Sequence, residues 1–253
     1  MREGSATLGQ EELRAAARAF CRERPLYYTN FSRVLARADS RVWAAGPAGV
    51  ALEDGPSRTF MLAAADEQAA CRLVDCLPER ADLFTVQGAC LLEPLRRRFE
   101  EKIVQKYGEI KLEAYYQAVY PKDAPPAGGA GFTVRPMRPE EAEWAAGYYS
   151  AIPGDTAYMA RCIANGPMLV GEADGVPAGF IGWHPEGSMG LLEVLPAYRR
   201  RGLAYALEAA AIAYDLARGC RPYAHIYTGN AASLALQKKL GMVWDEEPLY
   251  WVT

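Results

Sequence analysis

The chain has 253 residues with a formal net charge of −3; about half are hydrophobic and 23% are charged. This is the composition of a soluble globular protein with one large or two modest domains. The acidic balance argues against a general nucleic-acid binder, and no apolar run approaches the ~20 residues that span a bilayer. The N-terminus leads into a charged amphipathic helix with no signal-peptide pattern, so a cytoplasmic location is expected. Six cysteines lie scattered without a Cys-x-x-Cys pair, and only two histidines are present. We therefore expect no metal site and mostly buried, reduced thiols.

Thr7-x-x-Gln10 has the form of a capping box, followed by a helical stripe of Leu13, Ala16, Ala17 and Phe20. A second short helix covers residues 30–38. Val42 to Ala45, a Gly46–Gly49 turn and Val50 to Leu52 read as a hairpin, with a further strand at Thr59 to Ala63. Asp66 caps a helix whose face is Ala70, Leu73, Val74 and Leu77, stopped by Pro78. Leu83 to Val86 is a strand closed by Gly88. A helix follows with Pro94 in its first turn and Leu92, Leu95, Phe99 and Ile103 on one face. Residues 110–120 alternate as a long strand, and residues 122–131 form a Pro/Gly-rich linker.

The second half opens with a strand at Phe132 to Pro136 and a helix signal at Pro139. A helix through Tyr149 and another over residues 155–164 follow. Strands cover residues 168–171, 178–183 and 190–195, the first two joined by an Asp174-Gly175 turn. A helix spans residues 203–218, and residues 222–227 form the next strand. Asn230 caps the last helix, and residues 242–251 supply closing strands. Both halves run hairpin, strand, helix, strand, helix, strand, which suggests two copies of one α/β unit.

The second half carries the chemistry. A short strand, Leu192 to Leu195, ends at Pro196, and Arg199-Arg200-Arg201-Gly202 then enters a helix. Unpaired N–H groups, the helix dipole and nearby guanidinium groups make a receptor for phosphate. Spacing alone leaves a solvated charge run as an equal reading. Arg199-x-x-Gly202-x-Ala204 resembles the Arg/Gln-x-x-Gly-x-Gly/Ala signature of the GNAT superfamily of acyl-CoA-dependent N-acetyltransferases. Asn230-x-x-Ser233 and Lys239-Leu240-Gly241-Met242 resemble its second cofactor segment. The two-part length is most similar to the glycine N-acyltransferase-like branch.

The resemblance implies an α/β fold with a mixed sheet: a GNAT-like C-terminal domain, 132–253, preceded by a degenerate GNAT-like domain, 1–121. The first half has Ala64-Ala65-Asp66-Glu67 at its helix entry, and acidic residues there repel a pyrophosphate, so that copy is expected to hold no cofactor. Acetyl-CoA or another acyl-CoA is the implied co-substrate, without a metal. The pyrophosphate is assigned to Arg199, Arg200, Arg201, Gly202, Leu203 and Ala204. The pantetheine is assigned to Leu192 and Val194, with Val194 N–H as oxyanion donor, and to Asn230 and Ser233. His225 is the first candidate base, since an imidazole near 6.5 suits neutral pH; Glu193 and Glu186 are carboxylate alternatives.

Two departures from the family pattern stand out. Ser188 occupies the place where the glycine branch carries a glutamate. Gln237 stands where many relatives place a tyrosine that protonates the leaving thiolate, which leaves Tyr227, Tyr198 or water to supply that proton. The expected function is N-acetylation of a small-molecule amine or amino acid, with no nucleic-acid or membrane partner and with homodimerisation left open. The rival is a non-catalytic acyl-CoA-binding or regulatory module. A weaker third reading uses Arg96-Arg97-Arg98 with Arg199-Arg200-Arg201 as a protein or RNA contact surface.

Overall fold

A computed structural model describes residues 9–55, 57–79, 84–88, 95–129, 131–151 and 153–252. Thr7, Leu83, Cys90, Leu92 and Pro94, which figured in the expectations above, lie outside them, as do the side chains of residues 95–99. The chain divides into two compact units, one formed by residues 1–116 and 246–253 and the other by residues 117–245.

In the first unit, α1 (Gln10–Arg22) and α2 (Thr29–Leu35) precede a three-stranded antiparallel run of β1 (Arg41–Gly46), β2 (Gly49–Asp54) and β3 (Thr59–Ala64). Gly9 is the N-cap of α1, and its N–H donates to Glu12 Oε2 at 2.9 Å. Next come α3 (Glu67–Cys76), β4 (Phe84–Gly88) and α4 (Leu95–Tyr107). The strand β5 (Leu112–Val119) contains the division between the units. β4 runs parallel to β3, and the C-terminal strand, β11 (Leu249–Val252), lies antiparallel to both β4 and β5.

Two apolar clusters hold this unit. Phe20, Phe31, Val34 and Leu35 of the first helices meet Val42, Leu52 and Met61, while Ala70, Leu73 and Val74 of α3 meet Phe60, Leu62 and Val86. A buried polar knot fastens β4: Asn30 Nδ2 donates to Gln87 Oε1 at 2.6 Å, Gln87 Nε2 to the Tyr27 carbonyl at 2.8 Å, and Gly88 N–H to the Tyr27 hydroxyl at 3.1 Å.

The second unit begins with the end of β5 and the segment after it. Residues 122–131, expected as a linker, are pinned where described: Arg221 Nη1 donates to the Lys122 carbonyl at 2.8 Å, and the Tyr120 hydroxyl to the Ala124 carbonyl at 2.9 Å. A Cβ on Gly129 would lie 2.6 Å from Ala206 Cβ, so that glycine permits close passage over a helix. After β6 (Thr133–Pro136), a 3₁₀ turn over Pro139–Glu141 leads into α5 (Ala142–Tyr148) and then α6 (Thr156–Asn165). The antiparallel run β6, β7 (Leu169–Ala173), β8 (Val176–Trp183), β9 (Met189–Val194) follows, β7 and β8 being joined through left-handed Asp174 and Gly175. Then come α7 (Leu203–Ala217), β10 (Tyr223–Tyr227) and α8 (Ala231–Leu240). Residues 242–248 form no named strand, shorter than the closing strands expected.

Helix α7 packs on a shelf of glycines. A Cβ on Gly171 would stand 2.5 Å from Leu203 Cδ1, and one on Gly179 3.2 Å from Leu203 Cδ2. The absent side chains let the first turn of α7 settle directly on β7 and β8, which fixes where its N-terminus points. Of the five described cysteines only Cys21 is buried, so the thiols are not mostly interior as the composition suggested.

Candidate active site

The site begins with a bulge. Gly182 faces Gly190 and Phe180 faces Glu193, so two steps along β8 answer three along β9. Leu191 sits inside this stretch with φ of 55°, a left-handed conformation that a branched apolar residue avoids. Burial of its side chain against Met168, Val170 and Phe180 holds it there. A bulge increases local twist and turns a strand away from its neighbour. Among the described residues, β9 and β10 share one parallel register pair, Met189 with Ala224, immediately before the bulge.

Beyond that pair lies a cavity of about 730 Å³. Leu192, Glu193 and Val194 line it from β9; Ala224, His225 and Ile226 line it from β10. Its mouth is the loop into α7, with Tyr198, Arg199, Arg200, Gly202, Leu203 and Ala204; α8 contributes Asn230, Ser233 and Gln237. Twelve of the fifteen residues expected from the sequence as cofactor contacts, bases or acids thus meet at one cavity, and Glu186 is not one of them. Arg201 and Tyr227 are not among its lining residues. Arg201 lies over the Tyr198 ring, 5.4 Å from its centroid. Tyr227 is half exposed at the end of β10, its ring against Gly229, which removes the expected geometry for an acid there.

The loop has two left-handed residues, Arg200 with φ of 62° and Gly202 with φ of 95°. Gly202 is the N-cap of α7 and supplies no side-chain acceptor, so no cap competes for the N–H groups of the first turn. A Cβ at Gly202 would have no heavy atom within 4 Å, which marks open space in front of the helix end. Arg199 Nε donates to the Val194 carbonyl at 3.0 Å, so this arginine ties the loop to β9 as well as bringing charge. At the entry to α8 the Asn230 side chain accepts the Ser233 N–H at 3.0 Å. Positive helix end, arginines and unshielded N–H groups fit a phosphate-bearing ligand, and the parted strands fit an amide-rich arm.

The candidate bases have different surroundings. His225 Nε2 is 3.1 Å from Gln117 Oε1, and its ring lies against Tyr223. Removal from water, reinforced by the charge of His184, pulls its pKa down to about 3. The expected imidazole titrating near 6.5 is therefore absent: His225 is neutral and weakly basic at pH 7. Glu193 receives both the backbone N–H of Ser150, at 3.1 Å, and the Ser150 hydroxyl. Glu186 is buried two residues before Ser188 and accepts its hydroxyl at 2.5 Å, so a carboxylate reaches the neighbourhood of residue 188 from a different position.

The sequence reading missed Glu208. It is buried on α7, lines the cavity, and its carboxylate accepts Gln237 Nε2 at 2.9 and 2.7 Å. An acid among apolar residues of α7, six residues past the helix-entry glycine, was the available signal, and Asp215 one heptad on is a second buried acid on that face.

The fold and site define a class of structure: an α/β unit whose parted parallel strands meet an uncapped helix end. Residues 134–242 match the sequence profile of the Acetyltransferase (GNAT) family. Solved structures with the same fold extend over nearly the whole chain. A Drosophila protein aligns with TM-score 0.67 and 18% identity over 97% of this chain and 96% of its own. A GCN5-related N-acetyltransferase-like protein from Streptococcus suis gives 0.56 and 15% over 96% and 99%. A GCN5-related N-acetyltransferase from Kribbella flavida gives 0.53 and 17% over 94% and 94%. No curated protein sequence matches the chain. Among the described residues no group of metal-ligating side chains and no helix fit to cross a membrane is found.

Proposed function

We propose that the second unit transfers an acetyl or other acyl group from acyl-CoA to the amine of a small molecule or amino acid, and that the first unit binds no acyl-CoA. The observation that carries this is the parting of β9 and β10 after a single pair, around a cavity that runs to the Arg199–Ala204 loop. The pyrophosphate is received by the N–H groups at the start of α7, with Arg199 and Arg200 adding charge. The pantetheine arm lies along the edge of β9, where Val194 N–H is the assigned donor to the thioester oxygen.

Attack on the thioester requires an amine without its extra proton. Glu193 is the better assignment for the base, because the residue lines the cavity and its Ser150 bonds fix the direction of its carboxylate. His225, held neutral, serves as a positioning group. Polar and aromatic groups beyond the strands, among them Glu186 and the stacked Tyr149–Tyr158 pair, suit a small polar acceptor.

Calorimetry with acetyl-CoA tests the first half of this reading, with one site per chain expected. Thiol release across a panel of small amines and amino acids tests the second. Absence of acetyl-CoA binding by the folded protein would sink the assignment. Binding without release of thiol from any amine would favour the rival, a regulatory acyl-CoA module.

A further inference from the structure

We propose that Glu208, gripped by Gln237, is the acid that protonates the departing CoA thiolate. The inference rests on the acyl-transfer reading of the cavity and adds to it a residue that the sequence pattern does not suggest.

Glu208 and Gln237 come from the two helices that flank the cavity, and both are nearly sealed, at 5% and 1% exposure. Glu208 is six residues beyond Gly202 on α7 and Gln237 seven beyond Asn230 on α8. At the usual helical rise they stand roughly 9 and roughly 10.5 Å along their helices from the two helix starts. The pair therefore lies well inside the anion-receptive mouth, on the walls of the cavity that also carries Glu193 and His225. Gln237 spends its amide N–H groups on both carboxylate oxygens, while its own Oε1 is buried with no hydrogen-bond partner. A buried amide oxygen left without a donor is a marked cost unless something else supplies one. A protonated Glu208 or a bound ligand with an N–H group supplies it.

The other ionisable groups facing the cavity do not fill this role. Arg199, Arg200 and Tyr198 stand at the mouth, with Arg201 over the Tyr198 ring, and Lys239 lies over the Tyr205 ring of α7. Glu193 on β9 is engaged by Ser150, and His225 on β10 is pulled down to about 3. Burial pushes the Glu208 carboxyl up to about 7, the Gln237 amide drawing it slightly the other way. An acid poised near the working pH both holds a proton and releases it readily.

The neutral amine adds to the thioester carbon, the C–S bond breaks with its electron pair leaving on sulfur, and Glu208 gives its proton to that sulfur. The amide nitrogen loses one proton to Glu193 and thence to solvent, and Glu208 recovers one from solvent. Amide and free CoA thiol are the products.

The experiment compares wild type, Glu208→Gln and Gln237→Leu in acetyl-CoA calorimetry and in the pH profile of kcat. Wild type is expected to lose rate as pH rises through about 7, where the acid ionises. Glu208→Gln keeps the shape and a neutral amide, so its acetyl-CoA affinity should stay within about threefold while kcat falls on the order of 100-fold and the descending limb disappears. Gln237→Leu removes a bond that favours the carboxylate, so its descending limb should move to higher pH; a purely structural role would not move it. A Glu208→Gln enzyme with near-normal kcat, or descending limbs at one pH in wild type and Gln237→Leu, would overturn the proposal. Failure of wild type to bind acetyl-CoA would instead count against the acyl-transfer reading itself.

Discussion

The two units place the same kind of element, a parallel strand pair followed through a helix, under opposite conditions. β3 and β4 stay zipped for five register pairs, from Phe60–Phe84 to Ala64–Gly88, whereas β9 and β10 part after one. At the helix entries, Asp66 of the first unit accepts the Ala69 N–H at 2.8 Å, while Gly202 of the second offers no acceptor. One unit satisfies its backbone internally and the other leaves a strand edge and a helix end open. Stability and binding compete for the same N–H groups, and each unit has resolved that competition differently.

The sharpest way to break this contrast is to give the second unit the first unit's charge. Gly202→Asp places a carboxylate where the proposed pyrophosphate would sit and forces a side chain onto a φ of 95°. Acetyl-CoA binding should fall beyond detection by calorimetry while circular dichroism reports a folded protein. Retained affinity would refute the placement of the pyrophosphate.

The converse test strikes the zipped pair. A Cβ at Gly88 would lie 2.1 Å from the Ala64 carbonyl oxygen, on a residue with φ of 108°. Gly88→Ala should therefore destabilise by several kcal/mol, among the large effects expected from backbone strain and steric overlap. Thermal unfolding checks the loss, and acetyl-CoA affinity measured well below the transition should be unchanged.

Buried ionisable groups make the second unit's stability depend on pH. Glu208 has its pKa raised from 4.5 to about 7, so its contribution is complete below 4.5 and is lost as pH climbs through 7. The shift corresponds to roughly 3 kcal/mol between the two protonation states. Glu208→Gln should flatten the alkaline side of the stability curve measured by urea unfolding. His225, whose pKa is lowered, acts in the other sense: its contribution is present above 6.5 and fades as pH falls toward 3.

How much of this was readable in advance follows the range of the interactions. Caps are local, and Asp66 and Asn230 each accept the N–H three residues on, as their positions before apolar helices indicated; Asp155 does the same for α6. The Asp174-Gly175 turn and the Arg199–Gly202 loop were equally legible, since both depend on a few adjacent residues. Leu191 was not, because nothing in its identity announces a left-handed backbone that only packing against β8 and α5 enforces. The neutrality of His225 was hidden for the same reason: it follows from burial and from His184, which is 41 residues away. Glu208 and Gln237, 29 residues apart, meet only when two helices close on one cavity.

Arg199→Ala probes the mouth with a smaller effect. Loss of a charge-assisted contact should weaken acetyl-CoA binding by about 1–3 kcal/mol. Because Arg199 Nε also takes the Val194 carbonyl, Arg199→Lys should recover only part of that loss: an ammonium keeps the charge but not the fork that braces β9. Full recovery by lysine would mean that charge alone matters at this position.

The smallest expected effect separates the two helix entries most directly. Asp66→Ala removes the side-chain acceptor for the Ala69 N–H and so leaves the first unit's helix end uncapped, as Gly202 leaves that of α7. Loss of an N-cap costs about 1 kcal/mol, readable as a small fall in the unfolding midpoint. If an open helix end were sufficient for acyl-CoA, the variant would acquire a second acetyl-CoA site. It should not, because β3 and β4 remain paired through Ala64 and Gly88 and leave the pantetheine arm no edge to follow. A stoichiometry of one acetyl-CoA per chain in Asp66→Ala, alongside the loss of binding in Gly202→Asp, would establish that parted strands and an unshielded helix end are required together. A stoichiometry of two would show that the acidic cap alone had closed the first unit.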